Sequence, residues 1–244
     1  MREKAAFALR VMLTLVVMTV GALVMLIVAA LSGFQLRRFY SETLAAALGR
    51  LTLRIWGIRM ALHPARPFPA GQVVYISNHT STIDLFVLIA LGFPNARFFL
   101  SGFLRKLLPL GLIGYLIGII WTVPQDYPGE RMKIFKRAER LLRRTGESVY
   151  LSPEGERVTT GQVGHFNKGS FHLATALRAP IVPLYIRVPP EMNPGKGLNA
   201  RAGTVDVFVK PPIDTSSWRV EDLLRNKEKV RDMYVAWHRD LRDA

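Results

Sequence analysis

The stretch Val73-Val74-Tyr75-Ile76-Ser77-Asn78-His79-Thr80-Ser81-Thr82-Ile83-Asp84 determines how the rest of the chain is interpreted. Its first four residues are apolar, which is typical of a buried strand, and the polar residues after them favour the start of a helix. His79 and Asp84 lie at this junction. A histidine there can accept a proton from a substrate hydroxyl while a carboxylate fixes its tautomer. The alternative is that the polar residues only cap the helix and that His79 is an exposed turn residue.

Strand-like and helical patterns alternate through the chain after this junction. Such alternation predicts an α/β fold with a mostly parallel central sheet flanked by helices. The apolar stretch at 103–123 is interrupted by proline and glycine, so we expect a buried or membrane-grazing helix followed by a strand, with a second transmembrane span as the alternative. The predicted strands are 73–76, 97–100, 119–123, 148–151, 181–186 and 205–209, and the predicted helices are 82–91, 129–144, 168–177 and a last one from Trp218.

The N-terminal part of the chain has the composition of a membrane anchor. Residues 11–31 carry no charge and are long enough to cross the hydrocarbon core. This run is longer than the apolar region of a typical signal peptide, and no small-residue cleavage site follows it. Residues 39–58 predict a second, amphipathic helix suited to the membrane interface. We therefore expect a membrane-embedded two-helix hairpin in residues 1–62 and an α/β domain in residues 63–244, separated by a proline-rich boundary.

The charge balance favours an anionic partner. The 33 Lys and Arg residues outnumber the 18 Asp and Glu residues, which gives a formal net charge of +15. A phospholipid membrane suits this charge, and the positive flanks of the apolar segment favour a cytoplasmic main domain. Nucleic acid is not expected, because no motif interleaves basic and aromatic residues. The absence of cysteine excludes disulfides and thiolate ligands, and His165 and His172 have no third ligand nearby, so no metal site is expected.

A second polar block, Leu151-Ser152-Pro153-Glu154-Gly155-Glu156-Arg157, also follows an apolar strand. Arg157 can bind a phosphate through two parallel hydrogen bonds, and backbone amides beside Gly155 can add donors. Glu154 can orient Arg157 or accept a hydrogen bond from a substrate hydroxyl. The alternative is a surface turn with a local ion pair. Further along, Lys168 precedes a predicted helix whose N-terminus could also face an anion.

Four motifs in order carry a resemblance to a known family. Asn78-His79 with Asp84, Pro153-Glu154-Gly155-x-Arg157, Phe166-x-Lys168-Gly169 and Pro180-Ile181-Val182-Pro183 follow each other as in the glycerophospholipid acyltransferases. The sequence resembles the bacterial 1-acylglycerol-3-phosphate acyltransferases over roughly residues 72–190. The resemblance implies acyl transfer from acyl-CoA or acyl carrier protein to the free hydroxyl of a lysolipid, without cofactor, metal or covalent intermediate. It also implies an N-terminal two-helix element that holds the domain on one leaflet. The expected location is the bacterial inner membrane, with the catalytic domain on the cytoplasmic face.

The same resemblance gives the residues their expected roles. His79 would be the general base and Asp84 would orient it and stabilise its charge. The expected substrate-binding set has eight residues. Glu154, Gly155 and Arg157 would seat the glycerol phosphate, and Val182 and Pro183 would line the acyl or thioester region; the set is completed by Asn78, Ser81 and Lys168.

The chain departs from the family pattern at three places. Ser101 stands where a lysine is common, and residues 122–126 lack the usual arginine. The candidate replacements for these two missing basic residues are Arg97, Arg105, Lys106 and Arg131. Glu156 stands where threonine is common, and a carboxylate there weakens binding of a phosphate dianion. We expect 1-acylglycerol-3-phosphate as acceptor and phosphatidic acid as product. The alternatives are another lysolipid, zwitterionic or carrying an amino acid, and a non-catalytic lipid-binding module.

Overall fold

A seven-stranded sheet forms the centre of the protein. The structure is a computed structural model that describes residues 2–64, 68–192 and 200–242. The strand order is β1-β7-β6-β2-β5-β3-β4, and all neighbours are parallel except β6 and β7. The predicted mostly parallel sheet is thereby confirmed. The strands are β1 (Ile58–His63), β2 (Val74–Ser77), β3 (Ala96–Ser101), β4 (Ile120–Thr122), β5 (Ser148–Tyr150), β6 (Ile181–Arg187) and β7 (Gly203–Val209).

Helices cover both faces of the sheet. Successive side chains of a strand point to opposite faces, and the strands carry buried apolar side chains on each face, so each face needs a covering layer. Tyr75 and Tyr150 pack with the N-terminal helices and with α4 and α5, whereas Val74 and Val149 pack with α6, α7 and α8. The helices are α1 (Arg2–Leu31), α2 (Arg37–Phe39), α3 (Ala46–Ile55), α4 (Ile83–Ala90), α5 (Leu108–Ile117), α6 (Pro128–Thr145), α7 (Gly169–Leu177) and α8 (Leu223–Arg242). A π-helical segment (Tyr40–Ala45) joins α2 to α3, and short 3-10 turns are formed by Leu104–Lys106, Pro190–Met192 and Val220–Asp222.

Three boundaries differ from those expected. The second helix ends at Ile55, because Gly57 adopts a left-handed conformation (φ +67°) and the chain then enters β1, a strand that the sequence did not predict. β1 pairs with β7, so the expected domain boundary at residues 62 and 63 falls within a strand of the central sheet. The last helix begins at Leu223 rather than near Trp218, because Ser216 hydrogen-bonds Asp214 instead of capping a helix.

The N-terminal helices pack closely against each other. The indole nitrogen of Trp56 donates to the Thr14 hydroxyl at 2.9 Å, and Thr52 lies against Met18. Gly21 allows a further close approach, because a Cβ there would lie 2.3 Å from the Leu48 side chain. These contacts align α1 antiparallel to the helical segment that follows it. Embedding of the pair in a membrane stays a prediction.

α1 is long and apolar enough to cross a membrane. Of its most apolar 18 residues, only 22% are buried within the protein, so α1 is not a core helix. The second apolar stretch forms α5 and then β4, as expected, and α5 has only 10 residues. That length is too short to span the hydrocarbon core of a bilayer.

A buried charge cluster joins the N-terminal helices to the sheet. Arg37, at the start of α2, lies 2.5 Å from Glu147, and Arg97 of β3 pairs with the same carboxylate. Arg37 also donates to the backbone oxygens of Ala96 and Ile117. Its guanidinium therefore holds the start of α2, the end of α5 and the start of β3 together.

Candidate active site

Two polar loops meet at one edge of the sheet. β2 ends at Ser77 and β5 ends at Tyr150, and the two strands are parallel neighbours. The Ser77 and Tyr150 hydroxyls hydrogen-bond at 2.9 Å across the strand ends. Because the carboxyl ends of parallel strands lie at the same edge, the loop that carries His79 lies beside the loop that carries Glu154.

His79 and Asp84 form the expected pair. Asp84 lies in the first turn of α4, and its Oδ2 is 2.9 Å from Nδ1 of His79. The same oxygen accepts the backbone N–H groups of Thr80 and Ser81 at 2.8 and 2.9 Å, so the carboxylate is held firmly. Asp84 is fully buried, whereas the His79 side chain is 26% exposed. The pair thus directs the second ring nitrogen of His79 away from the carboxylate, where a ligand can reach it.

Glu154 supports the backbone of the histidine loop. Its Oε2 accepts the His79 N–H at 2.6 Å, and its Oε1 accepts the Gly164 N–H at 2.8 Å. Both carboxylate oxygens are therefore engaged by the protein, and the residue is only 3% exposed. Burial raises the pKa of Glu154 to about 7, although its two backbone N–H donors favour the ionised form. These contacts make Glu154 a positioning residue for His79 rather than a direct partner of Arg157.

Gly155 and Arg157 form the turn after Glu154. Gly155 has a φ of +73°, and a Cβ there would lie 2.7 Å from the Asn167 amide nitrogen, so only glycine fits without strain. Asn167 in turn donates to the backbone oxygen of Glu154 at 2.9 Å. The Arg157 guanidinium reaches back to the hydroxyl of Thr82, just before α4. This contact connects the two polar loops across the site.

A cavity of about 480 Å³ opens beside His79, and Gly155, Glu156 and Arg157 contribute to its wall. Arg131 of α6 also lines this cavity. Its Nη1 donates to the backbone oxygen of Val123 at 3.0 Å, and burial lowers its pKa. Within the described residues Arg131 has no carboxylate partner. Arg131, Arg157 and Glu156 therefore line a single cavity together with His79.

The structure distinguishes between the four candidate replacements for the missing basic residues. Arg97 is paired with Glu147 in the buried cluster, and Arg105 and Lys106 are exposed on the turn before α5. Only Arg131 reaches the cavity wall. The signal in the sequence was weak, because Arg131 is one of several basic residues on α6 and nothing local distinguishes it.

Asn78 and Ser81 are buried supports rather than parts of the cavity wall. The Asn78 side chain donates to the Ile186 oxygen at 2.9 Å and accepts the Ile186 N–H at 2.8 Å, which ties the end of β2 to β6. The Ser81 hydroxyl accepts the Ile83 N–H at 3.2 Å, and Ser81 is 1% exposed. Their polar groups therefore hold the histidine loop, and substrate contact through them is not supported by these positions.

Three other expected residues also lie away from this cavity. Lys168 is exposed just before α7 and is not on the cavity wall. Val182 and Pro183 are buried in β6, where they pair with Tyr75 and Ile76 of β2. The substrate-binding roles expected for these residues gain no support from the geometry. Over residues 2–64, 68–192 and 200–242, no three His, Asp or Glu side chains are grouped as metal ligands would be.

A small apolar cavity adjoins the first one. It lies between the N-terminal helices, α4 and α5, and its walls include Met18, Phe86 and Ile113. Leu85, Leu100 and Leu104 line both cavities. These three leucines therefore form an apolar wall between the cavity beside His79 and the apolar space next to α1 and α5.

The fold and the site together define an α/β protein with a histidine–aspartate pair at the carboxyl edge of a parallel sheet. Residues 59–187, more than half of the chain, match the family model described as Acyltransferase. The chain therefore belongs to the acyltransferase family.

Curated relatives and a solved structure agree with this assignment. The 1-acyl-sn-glycerol-3-phosphate acyltransferase alpha proteins of Bos taurus and Homo sapiens are each 28% identical to the chain over 195 residues. These alignments cover 77% of this chain, but only 65% of the bovine and 66% of the human protein. The crystal structure of the 1-acyl-sn-glycerophosphate acyltransferase of Thermotoga maritima has the same fold. It superposes with a TM-score of 0.72 at 18% identity, over 96% of this chain and 98% of that one.

Proposed function

We propose that the protein is a membrane-bound O-acyltransferase that moves an acyl chain from an acyl thioester to the free hydroxyl of a lysolipid. The observation that carries the proposal is the His79–Asp84 pair at 2.9 Å, which opens onto a cavity with Arg131 and Arg157 in its wall. Acyl-CoA and acyl carrier protein are the candidate donors. The names of the relatives favour 1-acylglycerol-3-phosphate as acceptor and phosphatidic acid as product.

The pair supports general base catalysis on the acceptor. With Nδ1 of His79 hydrogen-bonded to Asp84, the other ring nitrogen can take the proton of the acceptor hydroxyl. The hydroxyl oxygen then attacks the thioester carbonyl carbon, and the carbon–sulfur bond breaks. The departing thiolate takes the proton back from the imidazolium, so an ester and a thiol are formed and His79 is regenerated. Asp84 stabilises the imidazolium while it carries the proton.

The cations suit a phosphate on the acceptor. A phosphomonoester between Arg131 and Arg157 would gain hydrogen bonds from two guanidinium groups, which match phosphate geometry. The apolar wall that includes Leu104 gives an acyl chain a surface to pack against on the side of the N-terminal helices. Exposure of the apolar surface of α1 supports attachment to a membrane, and the positive flanks of α1 support a site on its cytoplasmic side. The resemblance to bacterial members of the family makes the bacterial inner membrane the proposed location.

One observation favours a second acceptor class. Glu156 lines the same cavity next to Arg157, and its negative charge opposes a phosphate dianion more than a zwitterion. A zwitterionic or amino-acid lysolipid is therefore the second candidate acceptor.

Thioester release in a panel of lysolipids tests the proposal. Full-length protein in vesicles should release thiol from acyl-CoA or acyl carrier protein only when a lysolipid is present, and His79→Ala should abolish this release. His172→Ala, on α7 and outside the cavity wall, is the matched control and should keep full turnover. Undiminished release by a folded His79→Ala protein would refute the mechanism. Lipid binding without thiol release from any donor and acceptor would identify a non-catalytic lipid-binding module instead.

A further inference from the structure

The turn before α5 and one side of α5 carry large apolar side chains that the protein leaves uncovered. We call Phe103, Leu107, Leu108 and Tyr115 the α5 patch, and their exposed fractions are 65%, 42%, 86% and 73%. Leu108 and Tyr115 are seven residues apart, so they lie on one side of the helix. The opposite side of α5 is buried in the core that also contains α1. The α5 patch is thus an apolar surface on a well-packed helix.

The position of the α5 patch indicates what covers it. α5 packs against α1, whose most apolar 18 residues are largely exposed and could cross a bilayer. Arg105 and Lys106 interrupt the patch, are exposed, and form no ion pair with any described carboxylate. Cationic side chains among apolar ones suit the interface of an anionic bilayer, where the cations meet lipid phosphates and the apolar groups enter the acyl region. A lipid bilayer therefore suits the apolar and cationic side chains of the α5 patch, and it also suits the exposed apolar surface of the neighbouring α1.

The α5 patch also adjoins the mouth of the active site. Leu104 belongs to the same 3-10 turn as Arg105 and Lys106, and it lines the cavity that contains His79. We propose that the turn Leu104–Lys106 and the exposed side of α5 from Leu108 to Tyr115 insert into the membrane interface beside the cavity, as a contact separate from α1. A lipid acceptor would then reach His79 by moving sideways from the bilayer. This last step rests on the function proposed above, whereas insertion of the α5 patch does not.

Depth measurements with single cysteines test the insertion directly, because the natural chain contains no cysteine. Full-length Leu108→Cys and Tyr115→Cys proteins, labelled with the fluorophore NBD, are reconstituted in vesicles of phosphatidylethanolamine and phosphatidylglycerol. Leu224→Cys is the matched control, because Leu224 is 54% exposed on α8, on the opposite face of the sheet. We expect blue-shifted emission and quenching by nitroxide-labelled lipids at residues 108 and 115, and quenching by aqueous iodide at residue 224.

Several outcomes would overturn the insertion. One is iodide quenching at residues 108 and 115 as strong as at residue 224. Another is excimer emission from pyrene-labelled Leu108→Cys, which would show that a second copy of the chain covers the α5 patch. No substrate is present in these measurements, so they remain decisive even if the protein shows no acyl transfer.

A turnover measurement tests the link to the active site. Leu108→Glu should lower acyl transfer to a bilayer-embedded lysolipid several-fold and leave transfer to a short-chain acceptor dissolved in water unchanged. Leu224→Glu should affect neither. Equal loss with both acceptors would show that the substitution disturbs the catalytic site itself, and no loss with either would refute entry beside α5.

Discussion

Replacing Asp84 by Asn isolates the contribution of its charge to catalysis. Oδ2 of Asp84 accepts three hydrogen bonds, from Nδ1 of His79 and from the backbone N–H groups of Thr80 and Ser81. An asparagine oxygen can accept the same three bonds. Its amide nitrogen would take the place of Oδ1, which has no hydrogen-bond partner among the described residues. The substitution therefore keeps the orientation of His79 and removes the negative charge that faces the imidazolium.

The expected size of the effect follows from the 2.9 Å separation between the His79 and Asp84 side chains. Two unit charges at this separation attract by about 6 kcal/mol at an effective dielectric constant of about 20. The imidazolium carries only part of its charge in the transition state, so about half of this energy, ~3 kcal/mol, is lost. Since ~1.4 kcal/mol corresponds to a tenfold change in rate, kcat should fall about 100-fold.

Thiol release at saturating thioester and lysolipid measures kcat for the Asp84→Asn protein. Asp206→Asn is the matched control, because Asp206 also pairs with a histidine, His63, at 2.8 Å but lies on β7, outside the cavity wall. The control should keep its turnover. A folded Asp84→Asn protein with a kcat within about twofold of the unmodified protein would show that the carboxylate charge does not stabilise the transition state.

Four further predictions concern substrate binding, the pH dependence of stability, turnover and the free energy of unfolding. Arg131→Ala and Arg157→Ala should each raise the KM of a phosphate-bearing acceptor about tenfold or more, since a hydrogen bond to a charged group is worth about 1.5–3 kcal/mol. Arg137→Ala, at an exposed position on α6, is the control and should leave this KM unchanged. A rise in the thioester KM alone would contradict the assignment. Burial raises the pKa of Glu154 from 4.5 to about 7, so the folded state binds this proton more tightly than the unfolded state does. The free energy of unfolding should therefore fall by ~3 kcal/mol in all as pH rises from about 4.5 to 7. In Glu154→Gln this contribution is absent, and the melting temperature should depend less on pH over that range. The same substitution should lower kcat about tenfold, because one of the backbone N–H groups of His79 and Gly164 then faces an amide donor, and an unchanged kcat would argue against a positioning role. Glu147→Gln should lower the free energy of unfolding by about 3 kcal/mol in denaturant titrations, because Arg37 and Arg97 would lose the carboxylate that they share. Glu139→Gln is the control: it breaks a partly exposed ion pair with Arg143 and should lower the free energy of unfolding by less than about 1 kcal/mol.

Much of the fold could be predicted because its signals are local. Six of the seven strands are short apolar runs between turn residues, and the sequence predicts each of them to within about two residues. β1 was missed because Ile58 was assigned to the preceding predicted helix, and the apolar run Met60-Ala61-Leu62 that remains is only three residues long and leads directly into the proline-rich segment. Its pairing with β7 involves residues about 145 positions later in the chain, which no local pattern reveals.

In the candidate site, too, contacts between residues close in sequence could be predicted, whereas contacts between distant residues could not. His79 and Asp84 lie five residues apart, across one strand-to-helix junction, so local spacing was enough to predict their contact. The bond between Glu154 and the His79 backbone depends on how β2 and β5 pair, and the position of Arg131 depends on the packing of α6 against the sheet. Residue types at these positions indicated an anion site, but only the tertiary structure separates Arg131 from the other basic residues.

The charge cluster of Arg37, Glu147 and Arg97 means that the N-terminal helices are not a detachable anchor. A protein shortened to begin at residue 63 would lose Arg37 from the buried carboxylate of Glu147, and it would expose the edge of β7 that β1 now covers. It would also uncover the walls that Met18 and Leu48 give to the apolar cavity. A water-soluble form of this protein is therefore better obtained by making the exposed side of α1 polar than by removing α1, because the buried side of α1 packs in the core and lines the apolar cavity.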